Sequence, residues 1–240
     1  MFKISTLAIA ALFSLTGIAH ASVINTAAFA KEYSGTNNSA AKANLTQPEK
    51  DGVTIDFRFI FTPTKTTGLS DDLEVNDFLG FWFNDATKGP NIGLKANCGN
   101  GTCTNDLFVR LGGSKGSFLT NSEIDAGKEY HLFGYLYKSK GSQVYDNFDA
   151  WLNPTAFQMH ALTGAHASAV MPAVIPADYK TVKSIQTVGF RTDSLNNGVK
   201  VTVSNLNLNV DVVPVPEPSS LALLGLALVG LGAARRRKQA

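Results

Sequence analysis

The sequence predicts an all-β central domain, a two-sheet antiparallel sandwich, between an N-terminal signal peptide and a C-terminal hydrophobic helix. Three observations carry this expectation. Apolar and polar residues alternate with a period of two in short segments, most clearly from Val53 to Phe61. Glycine and asparagine turn signals separate those segments. The two ends differ from the middle, each being a continuous apolar stretch beside basic residues. The chain divides accordingly into residues 1–21, 22–213 and 214–240.

In residues 1–21, Lys3 supplies a positive n-region and Ile4 to Ile18 carries no charge. Ala19-His20-Ala21 fits the small-x-small cleavage pattern, so the expected cut falls before Ser22. Strands follow. Val53, Ile55, Phe57, Phe59 and Phe61 share one face, with Thr54, Asp56 and Arg58 on the other. Phe78 to Phe83, apolar around Gly80, reads as a strand buried on both faces. Leu107, Val109 and Leu111 alternate with Phe108 and Arg110. Glu129 to Lys138 is a long aromatic strand, and Phe148 to Leu152 and Val188 to Arg191 are shorter ones. Val199, Val201 and Val203 share a face, but beyond Ser204-Asn205 the apolar positions become Leu206, Leu208 and Val210. A β-bulge or two successive strands would produce that change of parity. Turns are expected at Gly68, Lys88 to Asn91, Gly112-Gly113, Gly127, Gly141 and Asn196 to Gly198. The Ala-rich segment 154–176, which contains His160, His166 and three prolines, reads as a long loop with at most one helical turn.

Cys98 and Cys103 flank Asn100-Gly101, a tight-turn signal. In an exported chain the pair is expected to form a disulfide stapling a hairpin tip. So short a loop makes this worth only about 2 kcal/mol. A metal site would need more ligands than one cysteine pair.

The formal net charge is +2, but the ends carry much of the positive charge. Lys3 and Arg235 to Lys238 account for five of 21 basic residues and Glu217 for one of 19 acidic ones, so residues 22–213 hold 16 against 18, a net −2. No run of basic residues remains there to point to nucleic acid as a partner.

The last segment places Pro214 to Ser220 before the apolar stretch Leu221 to Ala234, which ends in Arg235-Arg236-Arg237-Lys238. As a helix that stretch covers about 21 Å at ~1.5 Å per residue, short of the ~30 Å hydrocarbon core. Local thinning and snorkelling arginines would let it span. The basic block is expected on the cytoplasmic side. This order of motif, helix and basic stop resembles the PEP-CTERM sorting signal of bacteria that make extracellular polysaccharide, with Pro216, Glu217 and Pro218 at the motif position. The Leu-Pro-x-Thr-Gly of a sortase signal is absent, and a GPI signal would not finish in four basic residues. The resemblance implies an exosortase as partner and transient anchoring in the inner membrane. Cleavage near the motif would then deliver the domain to the cell surface or the extracellular space. The reaction's cysteine nucleophile would belong to the exosortase.

Within the central domain, Ile124 to Phe133 resembles the turn and aromatic strand of concanavalin-A-like, laminin-G-type jelly rolls. Phe148 to Pro154 resembles that family's strand ending in an Asn-Pro turn, and Val188 to Arg191 with the final valine-rich strand resembles its closing strands. The resemblance spans about residues 53–210 and implies a fold often used for glycan binding, although fold does not fix function.

Candidate chemistry is sparse. Gly112 to Gly116 fits G-x-S-x-G, but no helical pattern follows, and a nucleophile elbow requires one. Glu123 and Asp125 have the two-residue spacing of a retaining glycosidase pair, which makes a polysaccharide hydrolase the alternative to a non-catalytic module. Asp71, Asp72, Glu74 and Asp77 form the densest acidic cluster, a candidate calcium loop. Asp146 and Asp149 are a weaker one. His131, His160 and His166 lack metal-binding spacing. Tyr135, Tyr137 and Trp151, with Trp82, are candidate sugar-stacking residues, since Tyr135 and Tyr137 share parity. The expected role is a non-catalytic module that binds extracellular polysaccharide or builds matrix. A ligand-free structural or adhesion protein is the third reading.

Overall fold

The structure, a computed structural model, describes residues 26–49, 52–62, 78–99, 102–112, 116–119, 124–177, 179–195 and 199–210. The signal peptide, the acidic cluster at 71–77, Glu123 and the sorting tail lie outside those residues, as do the side chains of Cys98 and Cys103.

A 3-10 turn at Thr26–Ala28 precedes β1 (Glu32–Tyr33), β2 (Gly35–Glu49), β3 (Val53–Thr62), β4 (Phe78–Phe83), β5 (Asn91–Gly99), β6 (Thr102–Arg110), β7 (Ser117–Phe118), β8 (Glu129–Tyr137) and β9 (Asn147–Leu152). The helix α1 (Ala156–Ala161) follows, then β10 (Ala167–Val170), β11 (Ile185–Leu195) and β12 (Lys200–Val210). Among the described residues the strands form two six-stranded sheets. The first runs β1-β12-β3-β8-β9-β10 and the second β2-β11-β4-β5-β6-β7. Every neighbouring pair is antiparallel. The expected sandwich is therefore the observed fold.

Alternation builds the core between the sheets. Ile55, Phe57, Phe59 and Phe61 of β3 face Leu79, Phe81 and Phe83 of β4 and Phe190 of β11 within one buried cluster. Phe57 meets Phe190 edge-on at 5.4 Å across the sheets, and Phe83 meets Phe148 at 5.8 Å. Such pairings add about 0.5–1.5 kcal/mol each beyond the area they bury. In β12 the register slips by one residue between Ser204 and Asn207, and Asn205 takes a positive φ of 50°. The parity change is thus a bulge within one strand. It returns Leu206 and Leu208 to the core beside Val201 and Val203.

Two elements differ from the sequence expectation. Gly35–Glu49 is a strand at the sheet edge, with a polar sequence that shows no clear alternation. Its pairing with β11 contains several register shifts, which scramble any period. Segment 154–176 is not all loop, since it contains α1 and edge strand β10. The β5–β6 register sets Cys98 opposite Cys103 and Gly99 opposite Thr102, and the Asn100-Gly101 turn signal lies outside the described residues.

Candidate functional site

On the outer face of the first sheet, β8 and β9 bring together the aromatic residues singled out from the sequence. Phe133 pairs with Trp151 in register, with ring centroids 5.3 Å apart. Tyr135 stacks on Tyr137 at 4.6 Å and 12°. This is not an open platform, because Met159 of α1 and Leu162 pack over it. Trp151 is fully buried and its Nε1–H donates to the Thr163 carbonyl at 2.9 Å, while Tyr135 is 5% exposed. Tyr137 is half-buried. Burial, reinforced by the Asp149 carboxylate, pushes its hydroxyl pKa up to about 12.

The carboxylates and histidines of this sheet are engaged by the protein itself. Asp125 lies in the segment before β8 rather than on a strand, and it accepts from the Tyr130 hydroxyl at 3.2 Å. Glu129 pairs with Arg58 at 3.0 Å, and His131 Nε2 meets Asp56 Oδ1 at 2.6 Å. Asp146 accepts from the Ser139 N–H at 2.7 Å and its hydroxyl at 2.6 Å, and Asp149 accepts from Ser168. His166 Nδ1 accepts from the Leu152 N–H at 3.0 Å, and His160 lies exposed on α1. Among the described residues no group of three or more metal-ligating side chains converges.

The outer face of the second sheet is built differently. Phe78, Trp82 and Phe108 are 5%, 3% and 1% exposed, yet they belong to neither hydrophobic cluster. Phe78 and Phe108 pack against each other, with ring centroids 5.3 Å apart, and against cations. The Arg110 guanidinium lies 5.5 Å from the Phe78 ring and 5.6 Å from Phe108, and Arg191 lies 5.2 Å from Phe78. Glycines let these rings lie against the sheet. A Cβ at Gly80 would strike the Phe78 ring, and one at Gly189 would strike the Trp82 indole. Arg110 donates through Nε to Asn91 Oδ1 at 2.8 Å, and Arg191 pairs with Asp193 at 2.9 Å. Burial, then the nearby Arg191 charge, pulls the Arg110 pKa down to about 10. Burial and both arginines lower that of Lys95. Trp82 Nε1 and Arg191 Nε are buried donors without an acceptor, an arrangement costing about 1–3 kcal/mol each. Sequence reasoning reached Trp82 as a stacking candidate but missed the arginines, because the strands that assemble them are far apart in the chain.

Comparison with known proteins adds one decisive match. Residues 214–238 match the PEP-CTERM protein-sorting motif. The PEP-CTERM motif marks an exported protein that is anchored transiently in the membrane, processed by an exosortase and directed to the cell surface. Among the described residues no helix is long and apolar enough to cross a membrane. No curated protein matches the chain. Similar solved structures include a glycosyl hydrolase family protein from Mycobacterium fortuitum, at 11% identity and TM-score 0.41, covering 74% of this chain and 73% of that one. An alginate lyase matches at 12% identity and TM-score 0.44, covering 75% and 80%. A β-1,3-glucanase from Mycobacterium marinum matches at 10% identity and TM-score 0.38, covering 70% and 66%.

Proposed function

We propose that this exported PEP-CTERM protein is a non-catalytic module that binds glycan in, or helps build, the extracellular polysaccharide matrix. The observation that carries the reading is the PEP-CTERM sorting motif at residues 214–238, a signal that resembles those of bacteria that make extracellular polysaccharide, attached to a two-sheet β-sandwich. A non-catalytic role is supported by the first sheet, where Asp56, Glu129, Asp146 and Asp149 are all engaged by neighbouring side chains.

The test is binding of the full chain, purified in detergent, to a polysaccharide panel that includes the host's own matrix, with calcium and with chelator. Saturable binding without release of reducing sugar is expected. Release that disappears in Glu123→Gln would establish the hydrolase instead. Loss of binding with chelator would assign the acidic cluster Asp71, Asp72, Glu74 and Asp77 to calcium. Neither binding nor release would leave a structural or adhesion protein.

A further inference from the structure

We infer that the apolar run Ala169 to Ala177 is a membrane-contact surface, which rests on the lipid bilayer that holds the sorting tail before cleavage. Nine consecutive residues there, Ala-Val-Met-Pro-Ala-Val-Ile-Pro-Ala, carry no polar side chain. Of the four large hydrophobic side chains exposed among the described residues, three fall inside this run. Val170 is 67% exposed, Val174 84% and Ile175 46%. The fourth, Phe157, lies on α1. The run is held in place at both ends. Val170 pairs with Asn147 of β9, the Met171 N–H donates to the Asp146 carbonyl at 2.9 Å, and the Tyr179 N–H donates to the Pro176 carbonyl at 3.0 Å. Pro172 and Pro176 bring no N–H that would need a partner away from water.

Strand register puts this run where the tail leaves the domain. Val210, Val53, Leu136, Phe148 and Ala169 form one row across β12, β3, β8, β9 and β10. The last residue of β12 and the first of the apolar run therefore lie at the same end of the first sheet, about 19 Å apart at ~4.8 Å per strand. From Val210, the ten residues Asp211 to Ser220 lead to the apolar stretch that begins at Leu221. A link of that length reaches at most about 40 Å. The opposite end of the sheet is roughly 30 Å further along the strands, so the link would be almost fully stretched in passing it. The end that carries the run is the one held beside the bilayer. Contact through a tether is intramolecular, and weak apolar burial suffices to populate it. Val170, Val174 and Ile175 gain by leaving water for the boundary of the acyl chains. The charge of this end is mixed, with Lys140 and Lys183 exposed and Asp146 at the same end, so contact extends to zwitterionic lipid. Cleavage of the tail removes the tether, and the domain then leaves the surface.

The test reconstitutes the full chain in phosphatidylcholine vesicles, with and without lipids brominated on the acyl chains, and reads the tryptophan emission of Val174→Trp. Trp82 is 3% exposed and Trp151 fully buried, so the wild-type chain supplies a constant background. Lys128→Trp, in the exposed turn before β8 at the opposite end of the sheet, is the control. Both positions are exposed, and a native melting transition confirms that each variant folds. The added emission of Val174→Trp is expected at shorter wavelength than that of the control. It should lose intensity in the brominated vesicles, at low and high salt alike, while Lys128→Trp keeps its own. Quenching at both positions or at neither would overturn the membrane contact. A shift to shorter wavelength without quenching, growing with protein density, would also overturn it and show that a second copy covers the run. A chain that does not float with the vesicles would remove the contact together with the anchoring on which it rests, and would leave the glycan-binding reading standing.

Discussion

Asp85 organises the turn between β4 and β5. Its Oδ1 accepts from the N–H groups of Thr87 and Lys88, each at 2.9 Å, and from the Thr87 hydroxyl at 3.0 Å, while Oδ2 faces Lys180 Nζ at 3.3 Å. Partial burial alone would raise its pKa. The hydrogen bonds from Lys88, Thr87 and Lys180 outweigh this and hold the carboxyl well below the usual range. A depressed carboxylate pKa contributes stability above the unfolded-state value of ~4, and the contribution is lost as pH falls toward the folded-state value. Asp85→Asn should therefore cost about 1–2 kcal/mol at neutral pH, and the gap to wild type should close below pH ~4. Melting curves at several pH values measure both, and a gap that persists at low pH would show that charge is not what holds the turn. At this scale the sequence showed a turn at Lys88 to Asn91 but missed its anchor: the Asp85 bonds to Thr87 and Lys88 are a local Asx-type signal just upstream, and only the Lys180 contact, 95 residues away, lies beyond any local pattern.

The helix α1 decides which aromatic residues are accessible. Thr155 and Gln158 form a capping box, with Gln158 N donating to Thr155 Oγ1 at 3.2 Å and Thr155 N donating to Gln158 Oε1 at 2.9 Å. Helix and cap together hold Met159 and Leu162 over Phe133, Tyr135 and Trp151. Thr155→Ala should cost about 1 kcal/mol and lower the Tm by roughly 2–4 °C in a domain of this size. It should also shift Trp151 emission to the red as the cover loosens. Unchanged emission would mean that the cover does not depend on the cap. The Thr-x-x-Gln signal after Pro154 was present in the sequence, but six residues are too few to display a helical period. By contrast β3, β4, β8 and β9 were legible, because each repeats its pattern over one full strand.

The whole molecule closes on both sides. The chain passes from β1 in the first sheet to β2 in the second through Ser34, and Ser117 Oγ of β7 donates to the Ser168 carbonyl of β10 at 2.6 Å. The sorting motif gives this body its destination. Replacing Pro216, Glu217 and Pro218 together with alanine should leave an uncleaved precursor in the membrane fraction of the host, while the wild-type chain is recovered as a shorter surface or extracellular form. Immunoblotting of fractions separates these outcomes, and processing of the triple variant at the wild-type rate would show that the exosortase reads other residues.

The sequence by itself determined the sandwich and the sorting tail. Strand alternation and a linear motif are local patterns, each complete within a few consecutive residues. Only the tertiary structure decided which side chains of the outer faces are accessible. Tyr135, Tyr137 and Trp151 had the parity for a platform, yet the cover of α1 closes it, with Trp151 fully buried. Lys95, Arg110 and Arg191 come from three strands scattered along the chain, and only the order of the second sheet sets them side by side. Charge and exposure on a sheet face depend on its neighbours in space, and strand order is fixed by packing of the whole core, beyond the reach of any local pattern.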